Sequence, residues 1–282
     1  MQILDAKSDK TAVSVEGYSL SFDGAALLEN IHCSAKFENI TTLIGPNGAG
    51  KSSLMKAIAG DFFRYESKGK IELCHGLGLS DMSLSDRAQH VAVLPQKSEL
   101  QFPFTVKEVV ELGRIPHGDD EKNNGEIVTE TMARLKVDHL AKKQYTRLSG
   151  GEKQRVQLSR VFAQIWDDCF SSYECTTDNA TVSRLPQKIL LLDEPTASLD
   201  LNYQDCFSDA IKYLSSCGVA IIVVSHDINL SLKYTDSFIA MKKGRVIAEG
   251  GKNIISAELM SDLFDVSVSV ISHPSGGKLV AF

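Results

Sequence analysis

No stretch of this 282-residue chain approaches the roughly 18 consecutive apolar residues that a membrane-spanning helix needs. A soluble protein is expected, free to dock on a membrane partner. A basic excess is missing too. Thirty Lys and Arg stand against 36 Asp and Glu, a formal net charge of −6, so neither nucleic acid nor anionic lipid is expected as the main partner. The opening "MQILDAKSDK" lacks the features of a secretory signal. Six cysteines occur, at 33, 74, 169, 175, 206 and 217, and none forms a C-x-x-C pair. Buried or free thiols are expected rather than disulfides. Cys74 with His75, and Cys169 with Cys175, lack zinc spacing. The sequons NIT, NAT and NLS are expected to be silent. Internal repeats and low-complexity tracts are absent as well.

What is present is an ordinary globular composition, 43% apolar and 23% charged, on a chain long enough for a sizeable core. Three apolar, β-branched runs end in polar chemistry. "NITTLI" (39–44) runs into Gly45, "KILLLDE" (188–194) ends at Asp193 and Glu194, and "VAIIVVSH" (219–226) ends at Ser225 and His226. Continuous apolar runs fit strands buried on both faces, hence a parallel sheet covered by helices. Ligands of such sheets sit beyond the carboxyl ends of the strands, so the polar termini are expected at one edge. "HVAVLPQ" (90–96) delivers Gln96 to the same edge.

Between these strands the pattern turns helical. Thr105 with Glu108 forms a capping-box pattern, and Val106, Val109 and Val110 follow at helical spacing. "GDDEKNNG" (118–125) is expected as a loop and 126–143 as a helix with Val128, Met132 and Leu135 on one face. Leu158, Val161, Phe162 and Ile165 mark a further buried helix face. The polar stretch 167–186 is expected as a surface insert. After Gly251 a short helix near 256–264 and a hairpin around "HPSGG" are expected.

"GPNGAGKSS" (45–53) fits G-x-x-x-x-G-K-[ST] in full, after a strand and before a helical segment. Gly45, Gly48 and Gly50 let backbone N–H groups close around a phosphate, with Pro46, Asn47, Ala49 and Ser53 completing the loop. Lys51 supplies positive charge to the β/γ oxygens, and Ser52 offers its hydroxyl to Mg²⁺. Asp193 at a strand end can hold the Mg²⁺ shell, and Glu194 can orient and deprotonate an attacking water. "LSGGE" (148–152) opens a helix with a serine and two glycines, a second anion-type site.

This phosphate loop, "LPQ", "LSGGEKQR", "LLLDEPTASLD" and "VVSHD", in that order, resemble the motifs of ABC transporter ATP-binding subunits. The resemblance implies an α/β P-loop NTPase core with a mainly parallel sheet, an inserted helical subdomain and a short C-terminal helix–hairpin tail. Its expected parts are 12–96 (first part of the ATP-binding core), 97–155 (helical subdomain), 156–250 (second part) and 251–282 (tail). It also implies an ATP hydrolase using ATP and Mg²⁺. Gln96 would sense Mg²⁺ and a transmembrane partner, and His226 would contact the γ-phosphate. Ser149, Gly150, Gly151 and Asp200 would reach a second copy's nucleotide across a homodimer, which makes the second anion site half of a shared one. Phe22 would stack on adenine, although family members often carry tyrosine there and Tyr18 is nearby.

"FPFTVKEVVELGR-x-PH" (102–117), the long insert and the tail are most similar to haem (hemin) importers of the iron-chelate, haem and cobalamin group. That likeness implies two copies of a permease and a periplasmic haem-binding protein as partners, on the cytoplasmic side of a bacterial inner membrane. A siderophore or cobalamin importer is the alternative cargo reading, and a soluble ABC ATPase of iron–sulfur cluster assembly the alternative of another class. His117 and His273 are expected as a docking-surface residue and a turn residue, not as haem ligands.

Overall fold

The computed structural model describes residues 10–62, 66–74, 76–78, 81–96, 100–118, 120–166, 187–272 and 277–282. The expected insert 167–186 with Cys169 and Cys175, as well as His75 and His273, lies outside them. The chain begins with two long strands, β1 (Thr11–Phe22) and β2 (Ala25–Lys36), joined through Asp23 and Gly24 at φ 47° and 77°. Both values suit a tight hairpin turn. Next come β3 (Ile40–Ile44), α1 (Lys51–Ala59), β4 (Ser67–Leu73), β5 (Leu77–Gly78), α2 (Leu84–His90) and β6 (Val91–Leu94). β1, β2, β4 and β5 form an antiparallel sheet in the order β2-β1-β4-β5. Sequence patterning did not foresee this sheet, because its strands mix exposed and buried positions irregularly around register shifts.

The middle of the chain holds α3 (Val106–Glu111), a 3₁₀ segment (Leu112–His117), α4 (Glu121–Arg134) and α5 (Gly150–Ile165). Thr105 caps α3 as expected. Its N–H donates to Glu108 Oε2 at 2.7 Å, and Glu108 N–H donates to its hydroxyl at 3.3 Å. α4 departs from expectation, starting within the supposed loop 118–125 and ending well before 143. The Asp120 carboxylate accepts from Asn123 N–H and starts the helix early. Lys136 at φ 53° ends it, its N–H donating to Ala133 O while Val137 N–H donates to Met132 O. That double closure is a Schellman stop.

β7 (Ile189–Asp193), α6 (Leu201–Ser216), β8 (Ala220–Val224), α7 (Ile228–Tyr234), β9 (Ser237–Lys242), β10 (Arg245–Gly251), α8 (Ala257–Phe264), β11 (Ser269–Ser272) and β12 (Lys278–Ala281) complete the chain. The six-stranded sheet has the order β10-β9-β3-β8-β7-β6. All its pairings are parallel except β10 against β9. Every residue of β3, β7 and β8 is buried. Side chains alternate between faces along a strand. Leu190 and Leu192 join Leu158, Val161 and Phe162 of α5 in one core. Ile189 and Leu191 join Leu54, Met55 and Ile58 of α1 in another. Burying each such side chain contributes roughly 1.5–3 kcal/mol, which outweighs helix or strand propensity and locks the layers. The tail adds a third core against α7 and the end of β3.

His117, expected on a docking surface, is half-buried, its Nε2–H donating to Gln164 O at 2.6 Å. Its neighbours in "GRIPH" also grip the C-terminal end of α5. Arg114, buried, donates from Nη1 to Ala163 O and Trp166 O, each at 2.7 Å. A Cβ on Gly113 would lie 2.2 Å from Arg160 O, so only glycine fits. Cations at a helix C-terminus also complement its dipole.

Candidate functional site

Parallel pairing sends the carboxyl ends of β3, β6, β7 and β8 to one edge, and the polar residues that follow them meet there. A cavity of about 510 Å³ is lined by Asn47 to Ser53, Gln96, Glu194 and His226, together with Ala26, Leu27, Lys243 and Gly244. Cavities of similar volume open elsewhere, for instance beside Tyr18 and Phe62. Chemistry rather than size distinguishes the first, since it alone of the two holds the Gly-rich loop.

The loop is built by backbone constraint. Gly45 sits at φ 149°, and a Cβ there would fall 2.1 Å from Met241 O. Gly48 at φ 77° and Gly50 at φ 99° take conformations that side chains rarely adopt. Gly50 opens α1 without a side-chain cap, so first-turn N–H groups remain for an anion. Lys51 is 5% exposed, and its Nζ donates to Gly45 O at 2.7 Å and Pro46 O at 2.9 Å. Burial lowers the Lys51 pKa from its usual value, against the pull of Glu194 and Asp193. A phosphate brought beside it would act in the same direction as those two carboxylates and favour the charged form.

Asp193 lies behind the loop, accepting from the Ser52 hydroxyl at 3.3 Å. Burial raises its pKa, partly offset by that hydrogen bond. A carboxylate beside a hydroxyl offers hard oxygen donors of the kind that suit a divalent cation such as Mg²⁺. Glu194 occupies the left-handed region at φ 51°, with its N–H donating to Val224 O at 3.0 Å. The His226 Nε2–H donates to Glu194 Oε1 at 2.7 Å, which fixes the carboxylate's direction at the cavity wall.

The remaining candidate residues stand apart from this cavity. Ser149 caps α5, its N–H donating to Glu152 Oε2 at 2.7 Å. Gly150 is exposed, and Gly151 packs so closely on the loop before α6 that a Cβ would meet Ser198 O at 2.9 Å. Gln154 Nε2 donates to Pro195 O at 3.1 Å. The start of α5 and the Asp200 loop therefore form one surface. Asp200 is exposed at the N-terminus of α6. Phe22, 46% exposed, ends β1 beside the turn whose neighbour Ala26 lines the cavity.

Sequence reasoning missed the β9–β10 turn. Lys243 and Gly244, at φ 49° and 75°, form it. Gly244 N–H donates to Ala49 O at 3.0 Å, and Glu29 N–H donates to Gly244 O at 2.8 Å. The turn thus clamps the phosphate loop to β2 and brings a lysine to the rim. The "KKGR" punctuation between two apolar runs was the signal that could have marked it.

Residues 28–166 match the ABC transporter family. The chain is 39% identical over 264 residues to a hemin import ATP-binding protein of Gloeobacter violaceus, covering 93% of this chain and 90% of that one. It is 35% identical to the protein of the same name in Pseudomonas putida, covering 94% and 97%. Among solved structures, an ATP-binding subunit of an ABC transporter superposes with a TM-score of 0.72 at 22% identity, covering 91% and 96%. A nucleotide-free ATP-binding cassette gives 0.70 at 20% identity, covering 90% and 94%.

Proposed function

The chain belongs to the ABC transporter family, and from that premise we propose that it hydrolyses ATP to drive haem import through a membrane permease. The observation that carries the hydrolytic part is the convergence of Lys51, Ser52, Gln96, Glu194 and His226 on one cavity. The cargo rests on similarity to hemin import proteins along nearly the whole chain.

Triphosphate enters with its β-phosphate in the loop 45–53. Lys51 leaves the carbonyls of Gly45 and Pro46 for the β/γ oxygens. Ser52, Gln96 and the Asp193 shell would hold Mg²⁺, which would supply positive charge to the phosphates. Glu194 takes a proton from the attacking water, aimed by its bond to His226. His226 addresses the γ-phosphate. Phe22 meets the adenine. A second copy contributes its Ser149, Gly150, Gly151 and Asp200, so two chains enclose two nucleotides. The exposure of Ser149, Gly150 and Asp200, and the separation of all four residues from their own chain's cavity, support that arrangement.

Two permease copies and a periplasmic haem-binding protein complete the transporter. The helical segment 97–155 is the part facing the permease, with the assembly on the cytoplasmic side of the inner membrane. Among the described residues no helix is long and apolar enough to cross a membrane, in keeping with a peripheral subunit. Reconstituted vesicles test the cargo. Haem-loaded binding protein should stimulate hydrolysis, and siderophore- or cobalamin-loaded protein should not. Stimulation by either of those and not by haem would overturn the assignment.

A further inference from the structure

The C-terminal tail lies against the two elements that carry the reacting edge. Ile44, the last residue before Gly45, and Ile228 and Leu232 of α7 share a buried core with Met260 and Leu263 of α8 and with Val280 of β12. A polar latch closes the same junction. Asn229 Nδ2 donates to Val280 O at 3.0 Å, and Val280 N–H donates to Asn229 Oδ1 at 2.8 Å. The side-chain amide thereby acts as an additional strand rung for β12. Each partner is half of a two-bond ring, so the relative rotation of α7 and β12 is fixed.

Three residues upstream of Asn229 is His226. The link between them is stiff. Ser225 Oγ accepts from Asp227 N–H at 3.2 Å, and the Asp227 carboxylate accepts from Leu230 N–H at 2.8 Å. Ser231 Oγ donates to Asp227 O at 2.7 Å. A displacement of α7 therefore moves the His226 backbone with it. A second clasp reaches the other wall of the cavity. Lys242, next to the rim residue Lys243, donates to Asp265 Oδ1 at 2.8 Å and to Asp262 O. The tail itself is braced by Lys278, whose Nζ donates to Ile255 O at 2.6 Å and Lys252 O at 3.0 Å.

We propose that the tail, through α8 and β12, sets the position of His226 for hydrolysis, with Asn229 as the positioning residue that joins them. The inference rests on the role given to His226 above. Asn229 is a positioning residue because the cavity lining does not include it. It acts through α7.

Hydrolysis by the full-length chain tests this with Asn229→Ala, Val280→Pro and His226→Ala, singly and in pairs. Val280→Pro removes one N–H from the latch and keeps the Asn229 side chain. Asn229→Ala and Val280→Pro should each lower kcat about three- to tenfold, the scale of one or two lost hydrogen bonds. KM for ATP and nucleotide affinity should stay unchanged. In the His226→Ala background neither change should lower kcat further, because the group they position is gone. Wild-type kcat in both latch variants would overturn the proposal while leaving the role of His226 intact. Equal losses with and without His226 would also overturn it, marking the latch as general stabilisation. Wild-type hydrolysis by His226→Ala would instead remove the underlying role of His226, and the proposal with it.

Discussion

Ser149 carries two separable functions, and Ser149→Ala pulls them apart. Within its own chain the residue caps α5 through both its backbone and its hydroxyl. The backbone bond, 2.7 Å, runs from the Ser149 N–H to Glu152 Oε2 and survives in alanine. What alanine loses is the hydroxyl's share: the longer bond, from Glu152 N–H to Ser149 Oγ at 3.3 Å, and the hydroxyl's own hydrogen bond to the Glu152 carboxylate. The loss should therefore sit near the typical value for a cap, about 1 kcal/mol. In a protein of this size that lowers Tm by about 2 °C. Across the proposed dimer the hydroxyl meets a charged γ-phosphate, where one hydrogen bond contributes about 1.5–3 kcal/mol, or roughly ten- to a hundredfold in rate. Three measurements suffice: a urea or thermal melt, nucleotide titration on isolated chains, and hydrolysis at saturating ATP. The expected pattern is a slight stability loss, unchanged single-chain affinity and a large loss of hydrolysis. Parallel losses of affinity and hydrolysis would refute the sharing of Ser149 between chains. A stability loss above about 2 kcal/mol would refute the cap argument.

Glu194→Gln should bind ATP, fail to hydrolyse it and accumulate as dimers in size-exclusion chromatography; wild-type hydrolysis would remove Glu194 from the role of base. Arg114→Met leaves the buried carbonyls of Ala163 and Trp166 without their Arg114 donor. It should cost about 2–3 kcal/mol in denaturant melts, and a neutral result would contradict the clasp on α5. The Glu152 carboxyl is held below its usual range chiefly by the Ser149 N–H. A depressed folded pKa means stabilisation present above the unfolded value, near about 4.3, and lost as pH falls through the lower folded value. Glu152→Gln cannot titrate, so the stability difference between wild type and variant should shrink below about pH 4. A difference that stays constant with pH would refute the charge-assisted cap.

Much of this molecule was legible without coordinates, for identifiable reasons. β3, β7 and β8 announce themselves because strands buried on both faces must be apolar throughout, and because parallel strands deliver their polar ends together. Thr105 and Glu108, and Ser149 and Glu152, mark helix starts because capping is local chemistry. The Gly45–Ser53 loop is visible because its left-handed backbone positions demand glycine at fixed spacing. α4 was placed late because one Asp120 carboxylate and one left-handed Lys136 set its ends, and neither carries a strong sequence signal.

What depends on residues distant in sequence was not legible. His117 resembles a surface residue until Gln164 is brought 2.6 Å away. Asn229 resembles part of a silent sequon until β12 folds back onto α7. Lys243 and Gly244 enter the site only because β9 pairs beside β3. Local chemistry, namely backbone strain, capping and apolar periodicity, is written into neighbouring residues, and the sequence by itself determined those elements and the chemistry of the phosphate loop. Which groups then face one another across the cavity, and which are turned outward, is settled by long-range packing that no short stretch encodes. That is what the tertiary structure alone decided.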